Sequence, residues 1–278
     1  MRSVVHTAAE GLISRRRFVG LAAAIVALQA CSKGPGKADE AFLASGGGGK
    51  TVDHDAWDKF LAAYVRPQKS GINLVAYSAV SDGDRDSLRS YLDRLQKVAV
   101  KDLGRDEQFA FWVNLYNAAT VNLILEEYPV ASIRDLGLLG QGPWGDKILT
   151  VEGKDLSLDD IEHTVLRPIW KDVRIHYAVN CASMGCPNLA TRAYRASLKD
   201  EMLNAGAKAY INSPRGFRLG DDGLVASSIY DWYQVDWGSP EKVLEHARSF
   251  AAGKTVDLLK GRTTIDSYDY DWSLNEVV

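Results

Sequence analysis

The chain has 278 residues, of which 25% are charged and 46% hydrophobic, with 7 Trp, 12 Tyr and 7 Phe to build a core. These proportions exclude disorder over the whole length and a multi-span membrane protein. A formal net charge of −3 gives no basic footprint for nucleic acid, and 3 Cys are too few for a disulfide-built scaffold.

The first thirty residues read as an address. Ser14-Arg15-Arg16-Arg17-Phe18 resembles the twin-arginine export signal, and the apolar stretch 21–28 follows it. That stretch is far shorter than the ~18–20 residues that span a bilayer, so it reads as the hydrophobic region of a signal peptide covering 1–30. Leu28-Gln29-Ala30-Cys31 resembles a bacterial lipobox, which implies cleavage before Cys31 and lipidation of its thiol. Ordinary cleavage after Ala30 is the alternative. Residues 31–52 are rich in Gly, Ser, Ala and Lys, with four consecutive Gly at 46–49, and read as a lipid-anchored flexible tether. The membrane, reached through Cys31, is thus an expected partner, and the periplasm or cell envelope the expected location.

The remainder, 53–278, reads as one α+β domain, mostly helical with a small sheet. Trp57, Phe60, Leu61 and Tyr64 have helical spacing, as do Leu88, Tyr91, Leu92 and Leu95. Residues 74–77 could form a short strand. A long helix is expected over 106–128, stopped by Pro129. A strand at 148–151 precedes Ser157-Leu158-Asp159-Asp160, a capped helix start with early acids. Residues 174–180 read as a strand, because Ile175, Tyr177 and Val179 alternate with His176, Ala178 and Asn180. A helix over 199–211, a hairpin around Gly220-Asp221-Asp222-Gly223 and a helix over 240–250 complete the pattern.

Four stretches stand out together. They are Phe111-Trp112-Val113-Asn114-Leu115-Tyr116-Asn117-Ala118; Leu156 to His163 with Leu166-Arg167-Pro168; Arg174 to Pro187, which includes His176, Asn180, Cys181 and Cys186; and Ser228 to Tyr233. In this order they resemble the family known as domain of unknown function 547. The resemblance implies no agreed activity, so the chemistry must come from the residues.

The helix around Trp112 is apolar nearly all round, which buries Asn114 and Asn117 within one turn of each other. A buried amide without partners costs about 1–3 kcal/mol. Each must clamp neighbouring backbone or line a polar site. Glu162 and His163, adjacent on a helix, point about 100° apart and cannot both face one point on regular geometry. Asn180 is a good N-cap for a helical turn starting at Cys181, and a thiol in such a turn is biased towards the thiolate. On a straight strand His176 would lie about 16 Å from Cys181, so His163 is the better candidate base.

Cys181 and Cys186, five apart, admit three readings: a disulfide suited to an oxidising compartment, a catalytic or redox thiol, or two reduced buried thiols. Zinc could draw on His176, His163 and Glu162, but no zinc-binding spacing is present, and no metal is expected. No Gly-rich phosphate loop opens a helix, so no cofactor is implied. Two functions follow. One is a thiol-dependent hydrolase or transferase with Cys181 as nucleophile, His163 or His176 as base, and Glu162, Asn114 or Asn117 orienting the base or an oxyanion. The other is a non-catalytic envelope module with a structural Cys181–Cys186 pair.

Overall fold

The computed structural model of the protein describes residues 34–277; the expected signal peptide and Cys31 lie outside them. Helix α1 (Asp55–Tyr64) runs into strand β1 (Val65–Pro67), which pairs antiparallel with β2 (Asn73–Val75). Helices α2 (Asp82–Leu95) and α3 (Arg105–Glu127) follow, then the hairpin β3 (Leu149–Val151) and β4 (Lys154–Leu156). A helical stretch over 158–170 leads to a 3-10 helix, Val173–Tyr177, and to helix α4 (Lys199–Ile211). Strands β5 (Phe217–Gly220) and β6 (Gly223–Ser227) form an antiparallel hairpin. Short helices α5 (Ile229–Trp232) and α6 (Gln234–Trp237), helix α7 (Pro240–Phe250), helix α8 (Lys254–Leu259) and strand β7 (Ser267–Asp269), parallel to β6, close the chain. The result is an α+β domain of helices with small, separate sheets.

Helix α3 is the axis of the main core. Every side chain from Glu107 to Val121 is buried, so this helix has no solvent face, as its apolar sequence requires. A second apolar cluster gathers Tyr177, Tyr210, Phe217, Tyr230, Leu244 and Leu259 around α4, the β5–β6 hairpin and α7.

The stretch over 158–170 begins as its sequence dictates. Ser157 and Asp160 form a reciprocal capping box, with Asp160 N–H donating to Ser157 Oγ at 3.1 Å and Ser157 N–H to Asp160 Oδ2 at 2.7 Å. The helix then widens to a π turn over Ile161–Leu166, and Arg167 N–H reaches back five residues to Glu162 O. That bond removes the ordinary α donor of His163 O. Pro168, with no N–H, can serve neither His163 O nor Thr164 O. Both carbonyls are satisfied from outside: Gly36 N–H donates to His163 O at 2.8 Å and Asp39 N–H to Thr164 O at 2.9 Å. A Cβ on Gly36 would sit 3.1 Å from His163 O, so the close approach suits glycine.

The expected tether is therefore laid along the domain from Gly36 to Gly46. Phe42 is 1% exposed and packs edge-on against Trp112, ring centroids 4.8 Å apart. Gln108 donates to Ala44 O at 2.8 Å, and Gly46 N–H to Leu103 O at 2.9 Å. The sequence reading missed this strap because its few anchoring residues sit among Gly, Ser and Ala with no period.

Residues 174–180 are the second departure. They form no strand. Asp172 accepts from Arg174 N–H and turns the chain into the 3-10 helix Val173–Tyr177. Alternation misled because both sets of side chains are buried: Ile175 joins the main core, Tyr177 the second, and His176 a polar cluster.

Candidate functional site

The loop over 178–187 is built from α3 outward. Asn117 donates to Ala178 O at 2.9 Å and accepts from Asn180 N–H at 2.8 Å. One turn earlier, Asn114 pairs in the same way with Tyr194 O and N–H, both at 2.9 Å. Both buried amides thus clamp backbone, and Asn117 fixes the residues immediately before Cys181. Asn180 extends the scaffold: its Nδ2 donates to Pro187 O at 2.6 Å and its Oδ1 accepts from Ala182 N–H at 2.9 Å. That second bond is the expected cap, but no helical turn follows it. Ala182 instead takes a left-handed conformation, φ 58°, and the chain folds back so that Cys186 N–H meets Ser183 O at 3.1 Å. Gly185 lets the C-terminal segment close over this turn, since a Cβ there would lie 2.8 Å from Asp271 N. Tyr210 donates to Gly185 O at 2.6 Å and Arg215 to Cys186 O at 2.7 Å.

This folding back brings the two thiols together. Cys181 Sγ lies 2.7 Å from Cys186 Sγ, 3.1 Å from Tyr270 OH and 3.2 Å from Ser183 Oγ, and both cysteines are free. Cys181 is half-buried, Cys186 buried. The hydrogen bond with Cys186, aided by those with Ser183 and Tyr270, outweighs burial and draws the Cys181 thiol below its ordinary pKa. Burial, and then the Cys181 sulfur, push Cys186 well above its own. The two shifts run in opposite directions, so Cys181 is the thiol of the pair that gives up its proton first. The stabilising groups are a thiol, two hydroxyls and the Ser183 backbone N–H, not the helix N-terminus that the sequence suggested.

No imidazole is among the hydrogen-bonding partners of Cys181. His163 and His176 sit in a second cluster. His163 Nδ1 accepts from Arg167 Nη1 at 3.0 Å, because a guanidinium can only donate, which puts the proton of a neutral ring on Nε2, 3.5 Å from Asp159 Oδ1. His176 Nε2 lies 2.7 Å from Asp236 Oδ2, and its Nδ1 3.7 Å from Glu162 Oε1. Its ring stacks on Tyr233 and Trp237, with centroids 4.5 and 5.1 Å away. Arg167 grips Asp236 through both oxygens, at 2.7 and 3.0 Å, and lies over the Tyr233 ring at 4.7 Å. Burial pushes the Asp236 carboxyl up, but the bonds from His176 and Arg167 prevail and hold it at about 2. The π turn resolves the difficulty with Glu162 and His163: on the widened helix Glu162 Oε1 comes within 4.0 Å of His163 Nδ1 while also facing His176.

Two buried tyrosines feel charge from both clusters. Tyr116 OH is 3.5 Å from Glu162 Oε2. Burial raises Tyr116 and Tyr233 well above the ordinary phenol, and negative charge on Glu162 and on Cys181 adds to it in both. A cavity of about 480 Å³ lies beside the charged cluster, lined by Gly36 and Ala38 of the strap and by Arg167, Lys171 and Asp236.

The structure thus gathers Glu162, His163 and His176, and separately Cys181 and Cys186, while Asn114 and Asn117 hold backbone. Arg167, Tyr233 and Asp236 escaped the sequence reading as site residues although the first two lie in the singled-out stretches. Tyr270 carried no local signal, since 89 residues separate it from Cys181. Replacing Asn117 by Leu leaves Ala178 O and Asn180 N–H unpaired. It should destabilise the protein by about 2–4 kcal/mol, read as a lowered urea midpoint, and should make Cys186 open to alkylation as the loop loosens.

A family model described as a protein of unknown function, DUF547, matches residues 100–211. The match takes in α3, the π turn, both thiols and α4, and stops short of Tyr233, Asp236 and Tyr270. The chain is similar to that family over this stretch. No curated protein and no solved structure matches it.

Proposed function

We propose that the protein is an exported, lipid-anchored enzyme whose nucleophile is Cys181, acting as a hydrolase or transferase on an acyl or amide carbon. One observation carries the reading: the half-buried Cys181 sulfur has three hydrogen-bonding neighbours that favour its ionised form. A thiol whose neighbours favour its ionised form can serve as nucleophile without an imidazole in contact. The Cys181 thiolate adds to the carbonyl carbon, the bond to the leaving group breaks as that group takes a proton from water, and the resulting thioester is cleaved by water or by a second nucleophile, which frees Cys181. A binding module with a structural thiol pair is the second reading, favoured by the backbone clamps of Asn114 and Asn117.

The docked strap bears on the anchoring half of the proposal. Lipidation at Cys31 would leave only five steps of chain before Gly36, at most about 17 Å when extended. The anchor would hold the domain against the membrane rather than on a long leash.

Alkylation of the native, reduced protein tests the chemistry. Iodoacetamide should modify Cys181 ahead of Cys186, with a rate that rises at a lower pH than for an ordinary thiol. Equal modification of both thiols, or none before unfolding, would remove Cys181 as a nucleophile. In cells, Cys31→Ser should move the protein from the membrane to the soluble fraction, and unchanged fractionation would place the anchor elsewhere.

A further inference from the structure

We propose that Cys181 and Cys186 are a redox couple that exchanges with external disulfides, so that the same loop carries a dithiol–disulfide activity beyond the acyl chemistry proposed above. The two sulfurs are 2.7 Å apart as free thiols. A disulfide is ~2.05 Å long, so closing it asks for a movement well under an ångström. The backbone is already held for that closure. Asn117 and Asn180 pin the loop before and across the turn, and Tyr210 and Arg215 hold Gly185 O and Cys186 O. Ordering that is present before the reaction need not be supplied during it.

The pair is also unequal in the sense that exchange requires. Cys181 is half-buried where Cys186 is buried, and its neighbours favour its ionised form, so it is the attacking sulfur. Cys186 is buried, 4% exposed, so it does not meet an external disulfide but does reach Cys181. The Cys181 thiolate attacks one sulfur of a disulfide R–S–S–R′, forming a mixed disulfide and expelling R′S⁻, which takes a proton from water. Cys181 then carries no charge, which removes one of the causes that keep Cys186 protonated. Cys186 gives its proton to water, attacks Cys181 Sγ and expels RS⁻, which is protonated in turn. The substrate gains two electrons and leaves as two thiols; the pair loses two and becomes the disulfide. In that state Cys181 is no nucleophile, so oxidation would also silence the acyl chemistry, a consequence that rests on the proposed function.

Glutathione, reduced and oxidised in set ratios, is the probe, applied to the Cys31→Ser full chain so that two thiols report. After quenching by alkylation, intact mass should show reversible passage from two alkylated thiols to none across the ratios. Cys186→Ser should stop at a glutathione adduct on Cys181, and Cys181→Ser should take up none. A dithiol at every ratio, a lasting adduct on Cys181 in the unsubstituted pair, or a disulfide that glutathione cannot reduce would each overturn the exchange. These outcomes are read on the pair alone. Fast alkylation of Cys181 with no internal disulfide would sink this inference and leave the proposed nucleophile standing.

Discussion

Phe42→Ala should destabilise the protein by about 3–5 kcal/mol, the usual cost of emptying a fully buried aromatic site. A flexible tether would lose nothing by the change. Phe42 is 1% exposed, meets Trp112 edge-on at 4.8 Å and has Lys154 over its ring at 5.8 Å. The strap it anchors serves two carbonyls that the π turn and Pro168 leave without helical donors, so undocking would expose both. The loss should appear as a lowered melting temperature together with faster amide exchange at Gly36 and Asp39. Unchanged melting with fast exchange at those amides would mean that the strap opens independently of the domain. Because Gly36 and Ala38 line the cavity beside Arg167 and Asp236, undocking would also open the charged cluster to solvent.

Acid should weaken the fold in two steps. His54 and His246 are each lowered to about 4, in both chiefly by burial. For His54 the Arg195 charge adds to that effect while Asp58, Asp53 and Asp55 oppose it; for His246 Arg174 and His176 add to it while Asp172 opposes it. Their Nε2 atoms have no partner, as suits neutral rings, and His54 Nδ1 is held at 2.6 Å by Tyr91 OH. The unfolded chain takes up these protons from about pH 6.5 downward while the folded chain resists until about 4. Stability is therefore full above 6.5 and falls between 6.5 and 4. At 1.36 kcal/mol per pH unit the cost is about 3 kcal/mol for His54, and less for the half-buried His246. Asp236, held at about 2, contributes stability that survives this range and is lost as pH falls from about 4 towards 2. Urea unfolding at pH 7, 5.5 and 4 measures the first step. The double variant His54→Gln, His246→Leu should flatten it, and an unchanged slope would show that other groups take up the protons.

The family resemblance, the α+β class, the buried helix α3, the Ser157 helix cap and the helices at 199–211 and 240–250 were legible because each depends on residues close in sequence. Periodicity, caps and Pro act within a turn or two, and α3 betrays its burial by having no polar stripe. Buried Asn114 and Asn117 could be recognised as amides in need of partners, but Tyr194 and Asn180, which supply them, lie 80 and 63 residues away. Residues 174–180 alternated like a strand, yet tertiary burial on both sides erased what alternation means, and the Asp172 cap set the local turn. Only the folded chain could decide that Cys181 meets Cys186, Ser183 and Tyr270 while His163 and His176 gather elsewhere with Arg167 and Asp236. A left-handed Ala182 and a tail that closes over Gly185 fix the first arrangement, and the π turn fixes the second. These are packing decisions between segments far apart in the chain, and no local pattern encodes them.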